Sequence, residues 1–253
     1  MNKPLVFKTF AKYNAFRKNL KGTVGFVPTM GALHQGHAGL LKQSAAENDY
    51  TVLSIFVNPT QFNDPKDLEK YPRTFDADFD LAAACGVTAI FFPDHNEIYA
   101  DKYQFIMTEN NFSKILCGAF RPGHFNGVLS VVMKLFNMIK PTKAYFGEKD
   151  FQQLQLIENM VKAYFIPVEI CRVKTLRDES GLALSSRNTR LSPPGREKAA
   201  LIYKTLKSAP SAGEAKNSLN QSGFEVDYLE DIDGRRFVAA FLEGVRLIDN
   251  VTI

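Results

Sequence analysis

Val24-Gly25-Phe26-Val27-Pro28-Thr29-Met30-Gly31-Ala32-Leu33-His34-Gln35-Gly36-His37 runs from a β-branched and aromatic segment, through proline and glycine, into the helically spaced Ala38-Gly39-Leu40-Leu41. This order predicts a strand over 23–28, a tight turn, and a helix over about 37–47. Backbone N–H groups at a helix start have no intrahelical partner and stand at the positive end of the helix dipole. Such a terminus binds anions, and phosphate is the usual one. Gly31 and Gly36 let a ligand approach the backbone closely, and His34 and His37, three residues apart, can face that ligand together.

Outward from this stretch the same alternation repeats. The run Val52-Leu53-Ser54-Ile55-Phe56-Val57 is what a strand covered on both faces looks like, which favours a parallel sheet. A helix over about 75–85 closes at Gly86 and leads to a strand over 88–92. Residues 93–123 read as an irregular insertion holding a strand over 104–108. Then follow a largely apolar, buried helix over 126–139, a strand over 143–146, a helix over 151–164 and a strand over 168–173. An arm and a helix over 10–20 precede all of this. Strands alternating with helices predict a Rossmann-like, doubly wound parallel sheet whose ligands sit beyond the strands' carboxyl ends. The loops after Val27, Val57 and Phe146 then share one edge. Beyond the turn-rich Arg177-Asp178-Glu179-Ser180-Gly181 the pattern changes to helices over about 193–207 and 212–220 and strands over 225–229, 237–242 and 245–248. The chain therefore divides into a nucleotide-binding domain, 1–175, and a smaller α+β domain, 176–253.

The bulk composition is that of an ordinary soluble globular protein. The 253 residues are 45% hydrophobic and 23% charged, with a net charge of +4. The basic residues are interspersed with acidic ones, so neither a nucleic-acid surface nor a membrane surface is indicated. No run approaches the roughly 18 apolar residues of a membrane span, and the N-terminus has no signal-length apolar region. Cys85, Cys117 and Cys171 are isolated, which favours buried thiols in a reducing cytoplasm over a disulfide or zinc framework.

Four loops carry chemistry, and each has a plainer alternative. His34 and His37 are either donors to nucleotide phosphates or mere helix-capping and surface residues; no third ligand accompanies them to make a metal site. Asn58-Pro59-Thr60-Gln61-Phe62 is either a simple Asn-Pro turn or a place where the Gln61 amide reads a substrate hydroxyl or carboxylate. Gly147-Glu148-Lys149-Asp150 is either a solvated turn or a site aiming Lys149 at phosphate and Asp150 at a ribose. Ser185-Ser186-Arg187-Asn188 is either an N-cap with a surface arginine or a mobile phosphate clamp. No Walker loop, dinucleotide fingerprint or nucleophile elbow competes with these.

Taken in order, 28–37, Phe56-Val57-Asn58-Pro59-x-Gln61-Phe62, Tyr71-Pro72-Arg73, Gly147-Glu148-Lys149-Asp150-Phe151-Gln152-Gln153, Leu184-Ser185-Ser186-Arg187-Asn188 and Arg246-Leu247-Ile248-Asp249-Asn250 resemble the motifs of the pantoate–β-alanine ligases, across residues 23–253. The resemblance implies a cytoplasmic homodimer with a C-terminal lid that joins pantoate to β-alanine using ATP and Mg²⁺, through a pantoyl-adenylate. It implies that ATP meets Met30, Gly31, His34, Gly36, His37, Gly147, Glu148, Lys149, Asp150, Leu176, Leu184, Ser185, Ser186 and Arg187. His34, His37 and Lys149 are the catalytic contacts with phosphate. Gln61, Gln153 and Asn58 are assigned to pantoate, Gln61 also to β-alanine, and Asp78 to Mg²⁺. The alternatives are a related nucleotidylyl transferase acting on a phosphate acceptor, which would ask for Arg or Lys in place of the glutamines, and a non-catalytic nucleotide sensor.

Overall fold

The computed structural model describes residues 3–253; Met1 and Asn2, which begin the expected first domain, lie outside the described residues. In chain order the elements are β1 (Leu5–Phe7), α1 (Phe10–Lys18), β2 (Val24–Thr29), α2 (Gln35–Glu47), β3 (Tyr50–Ile55), α3 (Pro65–Glu69), α4 (Phe75–Ala84), β4 (Ala89–Phe91), α5 (His95–Ile98), α6 (Cys117–Phe120), α7 (His124–Ile139), β5 (Lys143–Gly147), α8 (Phe151–Ala163), β6 (Glu169–Val173), α9 (Pro193–Ala199), α10 (Leu201–Ser208), α11 (Ala212–Gln221), β7 (Glu225–Ile232), β8 (Arg235–Leu242) and β9 (Val245–Thr252). Short 3-10 turns stand at Pro59–Gln61, Phe112–Lys114, Glu148–Asp150 and Ser186–Arg190.

β1 to β6 form one parallel sheet in the order β1-β4-β3-β2-β5-β6. The chain steps outward through β2, β3 and β4, then places β5 on the other side of β2. The order therefore reverses between β2 and β5, where open parallel sheets carry their ligand crevice. The period-2 alternation of side chains gives the sheet two apolar faces. Val24, Phe26, Val52, Phe91, Ala144 and Phe146 pack against α7 on one side. Val27, Leu53, Ile55, Ile90 and Tyr145 pack with Leu41 of α2 and Ala82 of α4 on the other. Fully burying one such side chain is worth about 1.5–3 kcal/mol. The sheet edge is accordingly a rigid base for its loops.

β7, β8 and β9 form a separate antiparallel sheet. Leu229, Val238, Ala240 and Leu247 face Leu206 and Leu219 of α10 and α11. Tyr228, Phe237 and Ala239 join the large core of the first sheet. Covered on both sides, this sheet holds the chain between β6 and α9 by an ion pair: the Arg177 guanidinium donates to both carboxylate oxygens of Asp249 at 2.6 and 2.8 Å and lies 3.8 Å from the Tyr203 ring centroid.

Three details depart from the sequence reading. Residues 104–108 form no strand: the Phe105 N–H donates to Asp101 and the Met107 N–H to the Ser130 hydroxyl, so side chains take the bonds a sheet neighbour would have made. The helix expected over 193–207 divides at Ala200 into α9 and α10. Their anchors differ: Glu243 accepts from the Ser192 backbone and hydroxyl at the start of α9, whereas α10 buries Ile202 and Leu206 in the C-terminal core. Cys85 and Cys117 are buried free thiols as expected, but Cys171 on the edge strand β6 is only half-buried.

Asp249→Ala leaves the largely buried Arg177 charge without its partner and should lower unfolding stability by about 3–5 kcal/mol, read as a drop in the urea midpoint at unchanged slope.

Candidate active site

The turn between β2 and α2 is held from below by a carboxylate. Asp78, on α4 and only 2% exposed, accepts from the Ala32 N–H at 3.0 Å, the Leu33 N–H at 2.8 Å and the Thr74 hydroxyl at 3.1 Å. Ala32 has φ of +50°, a conformation costly for a side chain with a Cβ, and these bonds keep it there. Gly31, at φ of +80°, lies so close to this carboxylate that a Cβ would sit 2.9 Å from an oxygen. Asp78 was expected as a Mg²⁺ ligand; its oxygens are instead committed to the backbone. Among the described residues no three His, Cys, Asp or Glu side chains group to cage a cation.

α2 starts at Gln35, earlier than the spacing predicted, because the two histidines cap it. The Gly36 N–H donates to His34 Nδ1 at 3.1 Å, and the His34 N–H to His37 Nδ1 at 3.3 Å. With both Nδ1 atoms accepting, each neutral ring carries its proton on Nε2. The rings stand 4.1 Å apart, centroid to centroid, and both line one large cavity. The capping alternative holds, and the same two side chains also face the cavity. Burial, reinforced by the Lys149 charge, depresses His34 to about 4; burial, then His34, then Lys149 depress His37 to about 3. The free site therefore offers two neutral N–H donors beside one ammonium.

The cavity, about 660 Å³, lies beyond the carboxyl ends of β2, β3 and β5 and continues to the C-terminal sheet, a size suited to small-molecule ligands. It brings together Met30, His34, Gly36, His37, Asn58, Gln61, Gly147, Lys149, Asp150, Gln153, Leu176, Leu184, Ser185, Ser186 and Arg187. Gly31 and Glu148 do not line it. Glu148 contributes its carbonyl: the Asn250 amide on β9 donates to the Glu148 and Lys149 carbonyls, 2.9 Å each, and so fixes the turn that presents Lys149. Lys149 Nζ lies 3.9 Å from the Asp150 carboxylate.

Gln61 is gripped at both ends. Asn58, 1% exposed, donates from Nδ2 to Gln61 Oε1 and to the Gly127 carbonyl, while its Oδ1 accepts from the Thr60 and Tyr99 hydroxyls. All four of its hydrogen-bonding positions are used, so Asn58 has none left for pantoate and acts by orienting Gln61. Because Gln61 Oε1 is occupied, the cavity meets its Nε2 donors, one of which points at Met30 Sδ, 3.1 Å away. The Gln61 carbonyl accepts from His124 Nδ1 at 2.8 Å and Arg121 Nη2 at 2.9 Å. Gln152 is buried and bonded to the backbone at Cys117, Phe112 and Ile115, whereas Gln153 on the next face of α8 lines the cavity.

Arg121, His124 and Asp67 escaped the sequence reading. Arg121-Pro122-Gly123-His124, a Pro-Gly turn with a histidine opening α7, repeats the character of 28–37 and was the available signal. Asp67 carries none: it lies on the short α3 and accepts from Arg187 at 3.0 Å and Arg190 at 2.8 Å, two guanidiniums distant in the chain.

The model of the family described as pantoate-beta-alanine ligase matches residues 5–252. A pantothenate synthetase of Bdellovibrio bacteriovorus is 58% identical over 98% of this chain and 99% of its own length. That of Legionella pneumophila strain Lens is 51% identical, covering 97% and 98%. The pantoate-beta-alanine ligase of Francisella tularensis, solved with beta-gamma ATP and beta-alanine, superposes with a TM-score of 0.94 at 40% identity, covering 98% of this chain and 97% of that one.

Burial of His34, His37 and, at about 3, His124 as neutral rings also has a consequence for stability. Their folded values lie below the unfolded value near 6.5, so the unfolded chain binds more protons and stability falls with pH from about 6.5 toward 3. The melting temperature should be flat above pH 7 and fall steadily as pH drops from 6.5 to 4. His124→Gln should flatten part of that slope.

Proposed function

The chain belongs to the pantoate–β-alanine ligase family, and on that premise we propose that its cavity forms pantoyl-adenylate from ATP and pantoate and then passes the pantoyl group to β-alanine. The observation that carries this reading is the convergence of His34, His37 and Lys149 with Gln61 and Gln153 on one cavity at the β2–β5 reversal. The first group suits a triphosphate, the second a hydroxy acid. A phosphate acceptor would ask for lysine or arginine at positions 61 and 153, which hold glutamine.

In the first step a pantoate carboxylate oxygen attacks the α-phosphorus, and the bond to pyrophosphate breaks. The carboxylate is ionised at neutral pH and needs no base. The work left to the protein is positioning and charge stabilisation. The Nε2–H groups of His34 and His37 and the Lys149 ammonium meet the phosphoryl oxygens, and the Gln61 Nε2 holds the acid in line. Leu176 packs near adenine, and Ser185, Ser186 and Arg187 close over the triphosphate. In this reading Asp67 holds Arg187 until the phosphates compete for it. In the second step the neutral amine nitrogen attacks the acyl carbon, AMP leaves with its oxygen, and the nitrogen loses a proton. Mg²⁺ supplies charge neutralisation on the nucleotide. Among the described residues no His, Cys, Asp or Glu side chains group to cage it.

We read residues 1–175 as the catalytic domain and 176–253 as the lid, in a cytoplasmic homodimer. Phe105 and Ile106, 76% and 63% exposed, are apolar surface that a second subunit would cover.

With ATP, Mg²⁺ and pantoate the protein should release pyrophosphate, and added β-alanine should yield AMP and the amide. Binding without turnover would indicate a sensor, and turnover only with a phosphorylated acceptor would indicate the related transferase. His34→Ala and Lys149→Ala should each slow single-turnover adenylate formation about 10²-fold or more. Gln61→Ala should raise the pantoate KM more than that of ATP; an unchanged pantoate saturation curve would make Gln61 structural.

A further inference from the structure

The cations described so far are matched to phosphate, yet the reaction brings in one more anion, the β-alanine carboxylate. Arg121 has no carboxylate partner among the described residues. Its Nη1 meets His124 Nε2 at 3.2 Å, and its Nη2 the Gln61 carbonyl at 2.9 Å. Burial and the Arg121 charge keep His124 neutral, and because its Nδ1 donates to that same carbonyl its Nε2 is an acceptor only. Arg121 is half-buried and lines the cavity. Burial and the repulsion of Arg187 and Arg246 push it down to about 10. Asp67, whose field reaches it, is spent on Arg187 and Arg190; Asp227 is spent on Arg246 at 2.7 Å. Arg246, which also lines the cavity, gives its Nε to Asp227 and its Nη1 to Cys117, and its Nη2 is enclosed within the protein. A partly desolvated guanidinium with no carboxylate partner is costly unless an anion completes it.

From this geometry we infer that Arg121 forms the receptor for the β-alanine carboxylate. The inference rests on the proposed ligase reading. The other anions are ill-suited to the place. The triphosphate has the helix α2 terminus, Lys149 and Arg187, and the pantoate carboxylate must stay free to attack phosphorus. Arg121 touches the backbone of Gln61, whose amide holds pantoate. An amine tethered to its carboxylate by two methylenes is thus delivered beside the acyl carbon, and an amine without the carboxylate is not.

The test compares β-alanine with 3-aminopropanamide, which keeps the amine and its spacing but has a neutral end, at saturating ATP and pantoate. The wild-type protein should prefer β-alanine by about 10²-fold or more in kcat/KM, and Arg121→Met should cut that preference at least tenfold. The ratio is insensitive to any loss of adenylation through Gln61, since both amines draw on the same adenylate. Should the methionine variant fail to fold, Arg121→Lys carries the test, with a smaller but clear fall because the fork is lost. A wild-type protein that adenylates pantoate yet uses both amines equally, or a preference unchanged in the folded variants, overturns the inference. Absence of any pantoate-dependent pyrophosphate exchange in the wild-type protein would instead overturn the ligase reading beneath it.

Discussion

The site depends first on the Asp78 carboxylate beneath the β2–α2 turn. Two backbone N–H groups converge on it, and one belongs to a non-glycine residue in the left-handed region. Without that acceptor the turn would relax, and the register of His34 against the first turn of α2 would be lost. A capping interaction is worth about 1 kcal/mol. Here its geometric effect matters more: using up both Nδ1 atoms leaves Nε2 as the free nitrogen of each ring.

Around this turn the cavity is organised by which groups are already satisfied. Asn58 and Gln152 look in the sequence like ligand-reading amides, but their bonds are complete within the protein. Gln61 and Gln153 are the amides with capacity to spare toward the cavity. The same accounting separates the arginines. Arg177 and Arg236 are paired with carboxylates and serve the fold, while Arg121 is left with neutral partners and Arg246 with an unpartnered nitrogen. Two neutral histidines beside one lysine also limit charge repulsion in the empty site, which a pair of imidazolium rings 4.1 Å apart would intensify.

Sequence reasoning found the alternation of strands and helices and the four loops because these are local properties: apolar period, glycine and proline placement, and capping chemistry. It found Lys149 and Arg187 because a charged residue directly after a core strand or in a flexible turn is conspicuous. It did not find Arg121, His124 or Asp67, whose roles depend on partners about 60 or 120 residues away in the chain. It also assigned Asp78 to a metal, since nothing local distinguishes a solvent-facing carboxylate from one roofed by another loop's backbone. The strand expected over 104–108 failed for a related reason: β propensity is only realised where a neighbouring strand is present.

The sequence by itself determined the parallel sheet, the edge on which the cavity-lining loops emerge, and the helix start that opens onto it, because each follows from side-chain periodicity and from unpaired groups at a helix terminus. The tertiary structure alone decided that the order reverses between β2 and β5. It also decided that the two histidines are neutral with Nε2 protonated, and that the Asn58 amide is bonded in full within the protein while Gln61 faces the cavity. Those outcomes rest on burial and on hydrogen bonds between segments far apart in the chain, and the energy of such a bond depends on a partner that no local pattern names.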